Sequence, residues 1–344
     1  MRYLVTGGAG FIGANAADRL LDAGEEVIVL DNLSRPGSER NLAWLRERHR
    51  SISFEQIDVR DFDALGRGLE RDHPVDVVYH LAAQVAVTFS VQDPATDFEV
   101  NARGTLNLLE AVRASGNETV VLYTSTNKVY GALEQVEVVE ETDRYRLSAY
   151  PEGLPETAPL DFHSPYGCSK GAADQYVRDY QRIYGLPTIV FRNSCIYGPR
   201  QFGIEDQGWL AWFMIASELG RPITIYGNGK QVRDVLFIDD LLEAMQLAVR
   251  HSEATQGQVY NIGGGPQNSL AIWREFGPML ESLAGRRIEP AYTDWRPGDQ
   301  PVYISDIRKA EADFGWKPRT GMEDGLRRLY EWVSANRSLF ADTR

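Results

Sequence analysis

Short apolar runs alternate with helical patterns over the first part of the chain. Such runs are typical of strands that are buried in a parallel sheet. Between them, apolar residues recur at the spacing of a helix, as in the segments 97–115 and 164–180. This alternation predicts an α/β fold with a Rossmann-type doubly wound parallel sheet, whose ligands bind at the carboxyl ends of the strands. The predicted strands of the sheet are residues 2–6, 26–30, 52–57, 75–83, 119–123 and 188–192.

The regular alternation weakens beyond residue 195, where short strands and helices no longer succeed each other strictly. We therefore predict a Rossmann domain over residues 1–195 and a smaller C-terminal lobe, mainly residues 196–344. Segments at about residues 233–262 are expected to return to the first domain. A chain of this length suits one large α/β unit with a second, smaller lobe.

Residues 131–163 form a stretch of a different kind. This stretch is acidic, contains Pro151, Pro155 and Pro159, and shows little periodicity. We predict an inserted loop near the functional site, because residues suited to chemistry resume directly after it. A long loop inside a compact domain often has a function. A solvated acidic surface loop is an equally open interpretation.

Glycines crowd the turn that follows the first predicted strand. Gly7, Gly8, Gly10 and Gly13 fit both the G-x-G-x-x-G and the G-x-x-G-x-x-G spacing. Glycine lets a backbone turn tightly and approach a diphosphate, whose oxygens accept hydrogen bonds from the free N–H groups of the helix that follows. Because the glycines stand between a predicted strand and a predicted helix, they indicate a dinucleotide site rather than an ordinary tight turn.

Acidic residues follow the next two predicted strands. Asp31 lies where the hydroxyls of an adenosine ribose are expected, and its charge would repel the 2′-phosphate of NADP. NAD is therefore the predicted cofactor, a preference that Arg35 would soften. Asp58 either accepts a hydrogen bond from the adenine amine or caps the next helix. The small residues 82–83 would let the backbone lie close to the dinucleotide, and His80 before them is interpreted as a packed residue rather than a catalyst.

Composition and charge narrow the classes of partner. The 344 residues are 43% hydrophobic and 25% charged, which is ordinary for a globular protein. A net charge of −13 disfavours binding to nucleic acid or to an anionic membrane. Cys168, Cys195 and five histidines show no metal-ligand spacing, so no metal site is predicted. The chain opens on a predicted strand and lacks an apolar run as long as a membrane span, so the cytoplasm is the expected location.

One pair of side chains is suited to proton transfer. Tyr166 and Lys170 are four residues apart at the start of a predicted helix and share one face. A tyrosine with its ordinary pKa of about 10 is a poor base, but a nearby ammonium group and an oxidised nicotinamide would lower that pKa. The phenolate could then remove a hydroxyl proton while hydride leaves the same carbon. Thr126 follows the preceding strand and is placed to hydrogen-bond the same hydroxyl.

These features together resemble the extended short-chain dehydrogenase/reductase family. The resemblance covers nearly the whole chain and implies a nucleotide-sugar epimerase, dehydratase or reductase that holds NAD tightly. It also implies a homodimer paired through the helices that begin near Asp97 and Tyr166. The residues that carry it are 6–13 (TGGAGFIG), Asp31, 80–83 (HLAA), Thr126, Tyr166 with Lys170, and Arg233 with Asp234.

The resemblance implies a role for each group of site residues. Thr126, Tyr166 and Lys170 are expected to be catalytic. Arg233 and Arg296 are expected to hold the nucleotide diphosphate, with the bidentate geometry that a diphosphate favours. The expected cofactor-binding residues are Gly7, Gly10, Phe11, Ile12, Gly13, Asp31, Asn32, Asp58, Val59, Leu81, Ala82, Ala83, Tyr166 and Lys170. The expected substrate-binding residues are Gln84, Thr88, Thr126, Asn127, Asn193, Arg233 and Arg296.

Within this family the chain most resembles the CDP-paratose 2-epimerases, also called CDP-tyvelose epimerases. Sugar 4,6-dehydratases of the family carry an Asp-Glu pair directly after the catalytic threonine, whereas this chain has Asn127 and Lys128. An amide is not a general acid and an ammonium does not accept a proton, so elimination of water lacks its catalysts. Asn193 stands where an apolar residue is expected. The stretches that carry this finer resemblance are 125–131 (STNKVYG), 164–176 (SPYGCSKGAADQY), 194–203 (SCIYGPRQFG) and 205–209 (EDQGW).

Three functional hypotheses follow from these observations. The first is an NAD-dependent nucleotide-sugar 2-epimerase, which oxidises the sugar and reduces it again on the opposite face. The second is a 4-epimerase of the same family that acts on UDP-glucose or UDP-glucuronate. The third is a non-catalytic dinucleotide sensor, which would have no need of the three catalytic residues.

Overall fold

The computed structural model describes residues 1–69, 73–296 and 299–341. The strands are β1 Arg2–Thr6, β2 Glu26–Leu30, β3 Ser53–Glu55, β4 Val77–His80, β5 Val120–Thr126, β6 Val138–Glu140, β7 Tyr145–Leu147, β8 Thr188–Asn193, β9 Cys195–Tyr197, β10 Thr224–Tyr226, β11 Val232–Phe237, β12 Val259–Ile262, β13 Ser269–Ala271, β14 Ala291–Thr293 and β15 Val302–Tyr303. The helices are α1 Phe11–Asp22, α2 Ser38–Arg48, α3 Phe62–Leu69, α4 Val87–Gln92, α5 Pro94–Phe98, α6 Gly104–Ser115, α7 Ser164–Tyr184, α8 Trp209–Leu219, α9 Ile238–Arg250, α10 Ser252–Thr255, α11 Phe276–Ala284, α12 Arg308–Phe314 and α13 Met322–Ala335.

The central layer is a parallel sheet with the strand order β12-β8-β5-β4-β1-β2-β3. Every pairing between neighbours in this sheet is parallel. The order runs outward from β1 in both directions, so the carboxyl ends of β1 and β4 lie at the point where the direction of winding reverses. This arrangement confirms the predicted Rossmann-type doubly wound sheet and places a ligand crevice at that edge.

Helices cover both faces of the sheet because alternate strand residues point to opposite sides. On one face, Val5 of β1 belongs to a large apolar cluster that includes residues of α1, α8, α9 and α13. On the other face, Leu4 belongs to a second cluster with residues of α3, α6 and α7. Burial on both sides explains why the strands are apolar at successive positions.

The C-terminal residues build smaller sheets beside this core. β11 pairs with β13, β15 and β9, and β10 pairs with β14. β12 lies in the central sheet beside β8, although it follows the first of these smaller strands in the sequence. The domain boundaries at residue 195 stay a prediction. Among the described residues, no helix is both long and apolar enough to cross a membrane.

The prediction of a loop for residues 131–163 is wrong in its middle part. β6 and β7 form an antiparallel hairpin there, with Val138 opposite Leu147. The hairpin is held by the rest of the chain: the backbone N–H of Tyr145 donates to the Lys230 carbonyl at 3.1 Å, and the Arg144 guanidinium pairs with Glu275 at 2.7 Å. Strands of three residues are too short to show a periodicity, so sequence reasoning missed them.

The helix predicted over residues 97–115 is present, but it contains a π turn. α5 ends at Phe98, a π turn spans Glu99–Arg103, and α6 begins at Gly104. The π turn contains Asn101, which is fully buried. A single π turn inside a helix often marks a functional site, and this one faces the candidate active site described next.

Candidate active site

The glycine turn between β1 and α1 has no room for side chains. A Cβ atom on Gly7 would lie 2.7 Å from the backbone nitrogen of Ala82, and one on Gly13 would lie 2.2 Å from the Gly7 carbonyl oxygen. Gly7 also has a φ of +66°, in the left-handed region that favours glycine. The structure therefore shows the close backbone approach between the β1 and β4 ends that a dinucleotide turn needs, and the residues fit such a ligand.

Asp31 directly follows β2, and its carboxylate is directed at this turn. Its carboxylate accepts hydrogen bonds from the backbone N–H groups of Ala9 at 3.0 Å and Leu33 at 2.8 Å. Burial raises the pKa of Asp31, and those backbone hydrogen bonds oppose the rise. Each carboxylate oxygen can accept more than one hydrogen bond, so Asp31 retains capacity for ribose hydroxyls. Arg35 donates to the Gln207 side chain.

The neighbouring strand end is occupied by an ion pair. Asp58 accepts from the Arg60 guanidinium at 2.9 and 2.7 Å and from the Asn32 amide at 2.9 Å. Chiefly because of the hydrogen bond from Arg60, the pKa of Asp58 falls to about 2. The residue whose side chain caps α3 is Asp61, which accepts from the Ala64 backbone at 3.0 Å. Helix capping, one of the two roles predicted for Asp58, is therefore performed by Asp61.

The end of β4 forms one side of this crevice. His80 is fully buried and forms hydrogen bonds to the hydroxyls of Thr6 at 2.7 Å and Thr105 at 3.0 Å. Burial, with a smaller contribution from the Lys170 charge, lowers the pKa of His80 to about 3. A neutral imidazole that forms two hydrogen bonds is expected for a packed residue. His80 is therefore not available as a base.

The predicted catalytic residues meet at the next strand end. Thr126 is the last residue of β5, and Tyr166 and Lys170 lie in the first two turns of α7. All three are buried, with exposed fractions of 7%, 8% and 3%. The hydroxyl of Thr126 lies close enough to the phenol of Tyr166 to lower the pKa of that phenol. Lys170 Nζ donates to the Thr124 carbonyl at 2.6 Å and lies 4.3 Å from the centre of the Tyr123 ring.

The protonation of this pair differs from the sequence prediction. Burial raises the pKa of Tyr166 to about 12, although the Thr126 hydroxyl opposes the rise. Burial also lowers the pKa of Lys170 to about 7, against the attraction of Asp174 and Asp97. The Lys170 ammonium is turned towards the Thr124 carbonyl, so the protein groups alone do not give the lowered phenol pKa that was predicted.

A buried polar network lies behind the pair. Asn101 accepts from the Gln84 backbone N–H at 2.9 Å and donates to the Gln84 carbonyl at 3.0 Å, which ties down the loop after β4. Asp97 accepts from the hydroxyl of Ser169 at 2.5 Å and from the Gln84 amide at 2.8 Å. Asp97 was missed because an acid in the first turn of a helix reads as an ordinary capping residue. Gln84 was predicted to bind substrate, but its side-chain amide donates to Asp97 in this network and to the Ala86 carbonyl.

A second buried network lies under Thr126. The guanidinium of Arg192 forms two hydrogen bonds of 2.9 Å to Asp174, and Ser125 donates to the same carboxylate at 2.8 Å. Arg192 also donates to the Tyr130 hydroxyl at 3.0 Å. Both ionic partners are fully buried, so each compensates the charge of the other. These contacts fix the end of β5, and no sequence motif indicated them.

The predicted diphosphate-binding arginines both have carboxylate partners. Arg233 donates to Asp299 at 2.6 Å, and Arg296 pairs with Asp206 at 2.9 Å. Arg296 also stacks on the Tyr226 ring, with 3.9 Å between its central carbon and the ring centre. Each guanidinium group is therefore compensated by a carboxylate.

Asn127 and Asn193 lie next to the catalytic threonine. Thr126 and Asn193 are paired in register at the ends of β5 and β8, and Thr126 donates to the Asn127 amide oxygen at 3.3 Å. The amide oxygen of Asn193 is buried, and no described residue donates a hydrogen bond to it. A buried acceptor without a protein donor is unusual and marks a place where a ligand hydroxyl would bind. Thr88, the remaining predicted substrate residue, lies in α4 and is partly buried.

The other predicted cofactor-binding residues line the same edge of the sheet. Phe11 and Ile12 begin α1 and are partly buried, as are Leu81, Ala82 and Ala83 after β4. The carbonyl of Val59 accepts from the Asn107 amide at 3.1 Å. The structure thus brings the predicted cofactor set and the catalytic trio to one crevice, while the roles of individual residues stay predictions.

Comparison with known proteins gives a consistent set of relatives. The profile of the GDP-mannose 4,6-dehydratase family matches residues 4–329. CDP-paratose 2-epimerase of Salmonella typhi is 44% identical over 340 residues, which are 97% of this chain and 100% of the relative. dTDP-glucose 4,6-dehydratase of Salmonella typhimurium is 34% identical over 98% of this chain and 93% of the relative.

Solved structures agree with these relatives. UDP-glucose 4-epimerase of Thermus thermophilus, solved in complex with NAD, is similar to this chain with a TM-score of 0.81 and 34% identity. The match covers 98% of this chain and 100% of the solved one. The relatives therefore include a 2-epimerase, a 4-epimerase and a dehydratase.

Proposed function

The chain belongs to the NAD-dependent epimerase/dehydratase family of short-chain dehydrogenase/reductase type, and on that premise we propose that it is a nucleotide-sugar 2-epimerase of the CDP-paratose/CDP-tyvelose type. The single observation that carries the choice of a 2-epimerase is the 44% identity to CDP-paratose 2-epimerase over the full length of that relative. The dehydratase and 4-epimerase relatives described above are 34% identical.

The replacement of the acid–base pair supports an epimerase over a dehydratase. Asn127 and Lys128 follow Thr126. The amide of Asn127 cannot donate a proton as the missing acid would, and the ammonium of Lys128 cannot accept one as the missing base would. The enzyme is therefore left with oxidation and re-reduction, a cycle that changes the configuration of one carbon without net redox change.

The glycine turn, Asp31 and the ends of β4 and β5 would hold NAD. Bound NAD supplies the hydride acceptor and a positive charge close to the reaction. The residues of the chain position the sugar hydroxyl: the Thr126 hydroxyl and the Tyr166 phenol are close to each other and can together bind one hydroxyl group. Tyr166 takes the proton of that hydroxyl as the carbon is oxidised and returns it after reduction of the opposite face.

The phenol of Tyr166 keeps a raised pKa in the protein alone, so Lys170 would make its proton easier to lose only together with the positive charge that bound NAD would supply. Its ammonium is buried in the same pocket, where a positive charge acts with little screening from solvent. Its hydrogen bond to the Thr124 carbonyl keeps the lysine fixed beside the end of β5. In this arrangement the charge needed to stabilise a phenolate is positioned in advance.

We also infer that the enzyme is a homodimer. Large apolar side chains are exposed on α7 and on the neighbouring α4 and α5, which pack against α7. Tyr176, Ile183 and Tyr184 lie on α7 at helical spacing, and Val91 and Phe98 are exposed on the two short helices that pack against α7. Exposed large apolar side chains on one group of packed helices are typical of an interface, and two copies could cover them through a twofold axis.

A substrate screen on the purified enzyme tests the proposal. Turnover of CDP-paratose, CDP-tyvelose, UDP-glucose and UDP-glucuronate is followed by NMR of the sugar protons. We expect CDP-paratose and CDP-tyvelose to interconvert without added cofactor, because tightly held NAD is regenerated in each cycle. Turnover of the UDP-sugars alone would favour the 4-epimerase hypothesis and overturn the 2-epimerase assignment.

A further inference from the structure

A cluster of three charged side chains lies between the catalytic threonine and the C-terminal lobe. Lys128 Nζ is 3.6 Å from an Asp299 carboxylate oxygen, and the Arg233 guanidinium is 2.6 Å from the same oxygen. The three side chains are 25%, 21% and 6% exposed, so solvent screens them only partly. Two cations thus share one carboxylate, and the cluster carries one positive charge in excess.

The electrostatics of Lys128 show that its ammonium is not fully compensated. Burial lowers the pKa of Lys128, the charge of Asp299 opposes this, and the charge of Arg233 adds to it. The pKa of Asp299 is nevertheless below its ordinary value, because the two cations outweigh the effect of burial. A second anion at this place would relieve the repulsion between Lys128 and Arg233.

Lys128 connects the two halves of the site. Its backbone N–H donates to the Thr126 hydroxyl at 3.2 Å, so its main chain is fixed at the catalytic end. Its side chain reaches the arginine that is expected to hold the diphosphate. A ligand that binds both Thr126 and Arg233 must therefore pass beside the Lys128 ammonium.

We infer that Lys128 binds the sugar-side phosphate of the substrate and is a specificity-determining residue. The inference rests on the proposed 2-epimerase function. In that reaction the reacting carbon is bonded directly to the anomeric carbon that carries the phosphate. The phosphate is then close to Thr126, and Lys128 and Arg233 are the two cations next to it. In a 4-epimerase the reacting carbon lies across the sugar ring from the phosphate, and a cation two residues from the catalytic threonine would face the far side of the sugar.

Asp299 has a defined part in this arrangement. Without a phosphate, its carboxylate keeps the two cations in the same place despite their mutual repulsion. A cation pair that is already oriented loses less entropy when the ligand binds. At the position of Lys128, the dehydratases that the sequence resembles carry a glutamate. The exchange of glutamate for lysine changes both the chemistry and the charge that a substrate meets at this position.

Nucleotides with one and two phosphates separate this role from a structural one. The NAD-loaded enzyme is titrated with CDP and with CMP by calorimetry, as wild type, Lys128→Met and Lys128→Arg. We expect Lys128→Met to weaken CDP binding by about 10- to 100-fold, since a hydrogen bond to a charged group is lost. CMP lacks the second phosphate, so its affinity should stay the same. Lys128→Arg should keep most of the CDP affinity because it retains the charge.

The remaining outcomes decide against the inference. Equal weakening of CDP and CMP would show that Lys128 only shapes the site, and unchanged binding of both would show that it does not contact the phosphate. NAD content and thermal unfolding are measured for each variant, and Lys128→Gln is a second neutral variant if Lys128→Met does not fold. Failure of the 2-epimerase assignment is seen separately, as turnover of UDP-sugars, and UDP with UMP then replaces the cytidine nucleotides in the same titration.

Discussion

Burial sets the protonation of single residues in this site before any ligand contributes. It raises the pKa of Tyr166 to about 12 and lowers those of Lys170 to about 7 and His80 to about 3. All three shifts favour the neutral form, because a buried charge loses its hydration. The site therefore keeps few formal charges near the reacting hydroxyl, and a charge that arises there during the reaction is weakly screened.

Replacing Tyr166 by phenylalanine removes the proton acceptor and keeps the ring. We expect turnover to fall by about 10²- to 10⁴-fold, the usual contribution of a general base. The amount of NAD released on denaturation should equal that of wild type, since the ring still fills its place. Tyr176→Phe on the exposed side of the same helix is the matched control and should be fully active. Unchanged turnover in Tyr166→Phe would remove this residue from the mechanism.

His80 gives the fold an acid sensitivity. Its pKa is about 3 in the folded protein and about 6.5 in an unfolded chain, so below pH 6.5 the unfolded state binds the extra proton. The free energy of unfolding should therefore fall as the pH falls from 6.5 towards 3, by about 2 kcal/mol between pH 6.5 and 5. Above pH 6.5 His80 is neutral in both states and has no such effect.

His80→Gln isolates this contribution. Glutamine is uncharged and can still hydrogen-bond the Thr6 and Thr105 hydroxyls. Urea unfolding at pH 5 and pH 7 gives the free energy of unfolding of both proteins. The loss between the two pH values should be about 2 kcal/mol smaller in the variant. An identical loss in both proteins would show that His80 is not the group that titrates.

At the scale of elements, the sequence predicts best where local chemistry and tertiary contacts agree. The glycine turn and the strands of the central sheet were found because burial on both faces leaves apolar runs. The helix over residues 97–115 was predicted unbroken because the π turn at Glu99–Arg103 has no local signal. The hairpin β6–β7 was missed because its stability comes from Lys230 and Glu275, far along the chain.

The candidate site follows the same rule. Thr126, Tyr166 and Lys170 were brought together correctly, since parallel topology places the ends of neighbouring strands at one edge. The direction of the Lys170 side chain was not predictable, because it depends on the buried Thr124 carbonyl. The pairing of Arg233 with Asp299 joins residues 66 positions apart, and nothing in the motif containing Arg233 indicates that partner.

The glycine turn provides the element-scale prediction. In Gly13→Ala the new Cβ would lie 2.2 Å from the Gly7 carbonyl oxygen, so α1 must move away from the turn. We expect a loss of about 1–3 kcal/mol in the free energy of unfolding, together with a lower NAD content. Both quantities are measured on the purified variant, by urea unfolding and by the dinucleotide released.

Gly66→Ala is the matched control for this change. Gly66 lies in α3, and apart from its own helix backbone no atom of the described residues would lie within 4 Å of an added Cβ. Alanine is the better helix former, so this variant should gain up to about 1 kcal/mol and keep its NAD. If Gly13→Ala behaved like Gly66→Ala, the close packing of α1 on the turn would not matter for cofactor binding.

At the scale of the whole molecule, the net charge and the charge next to the catalytic threonine differ in sign. The net charge is −13, yet Lys128 and Arg233 share a single carboxylate there. A local cationic group at short range is screened less than the distributed negative charge, so an anionic substrate can still be bound. Three of the exposed large apolar side chains, Tyr176, Ile183 and Tyr184, lie on α7.

The apolar patch on α7 leads to a prediction about assembly. Ile183 is 66% exposed, and in a twofold dimer each substitution appears twice in the interface. Ile183→Glu would bury two carboxylates without partners and cost roughly 2 kcal/mol or more per copy. We expect the variant to be a monomer by light scattering at concentrations where wild type is a dimer. Tyr292→Glu, 51% exposed on β14 of the C-terminal lobe, is the control and should stay dimeric. A dimeric Ile183→Glu protein would place the interface elsewhere, whereas a monomeric wild type would refute the dimer itself.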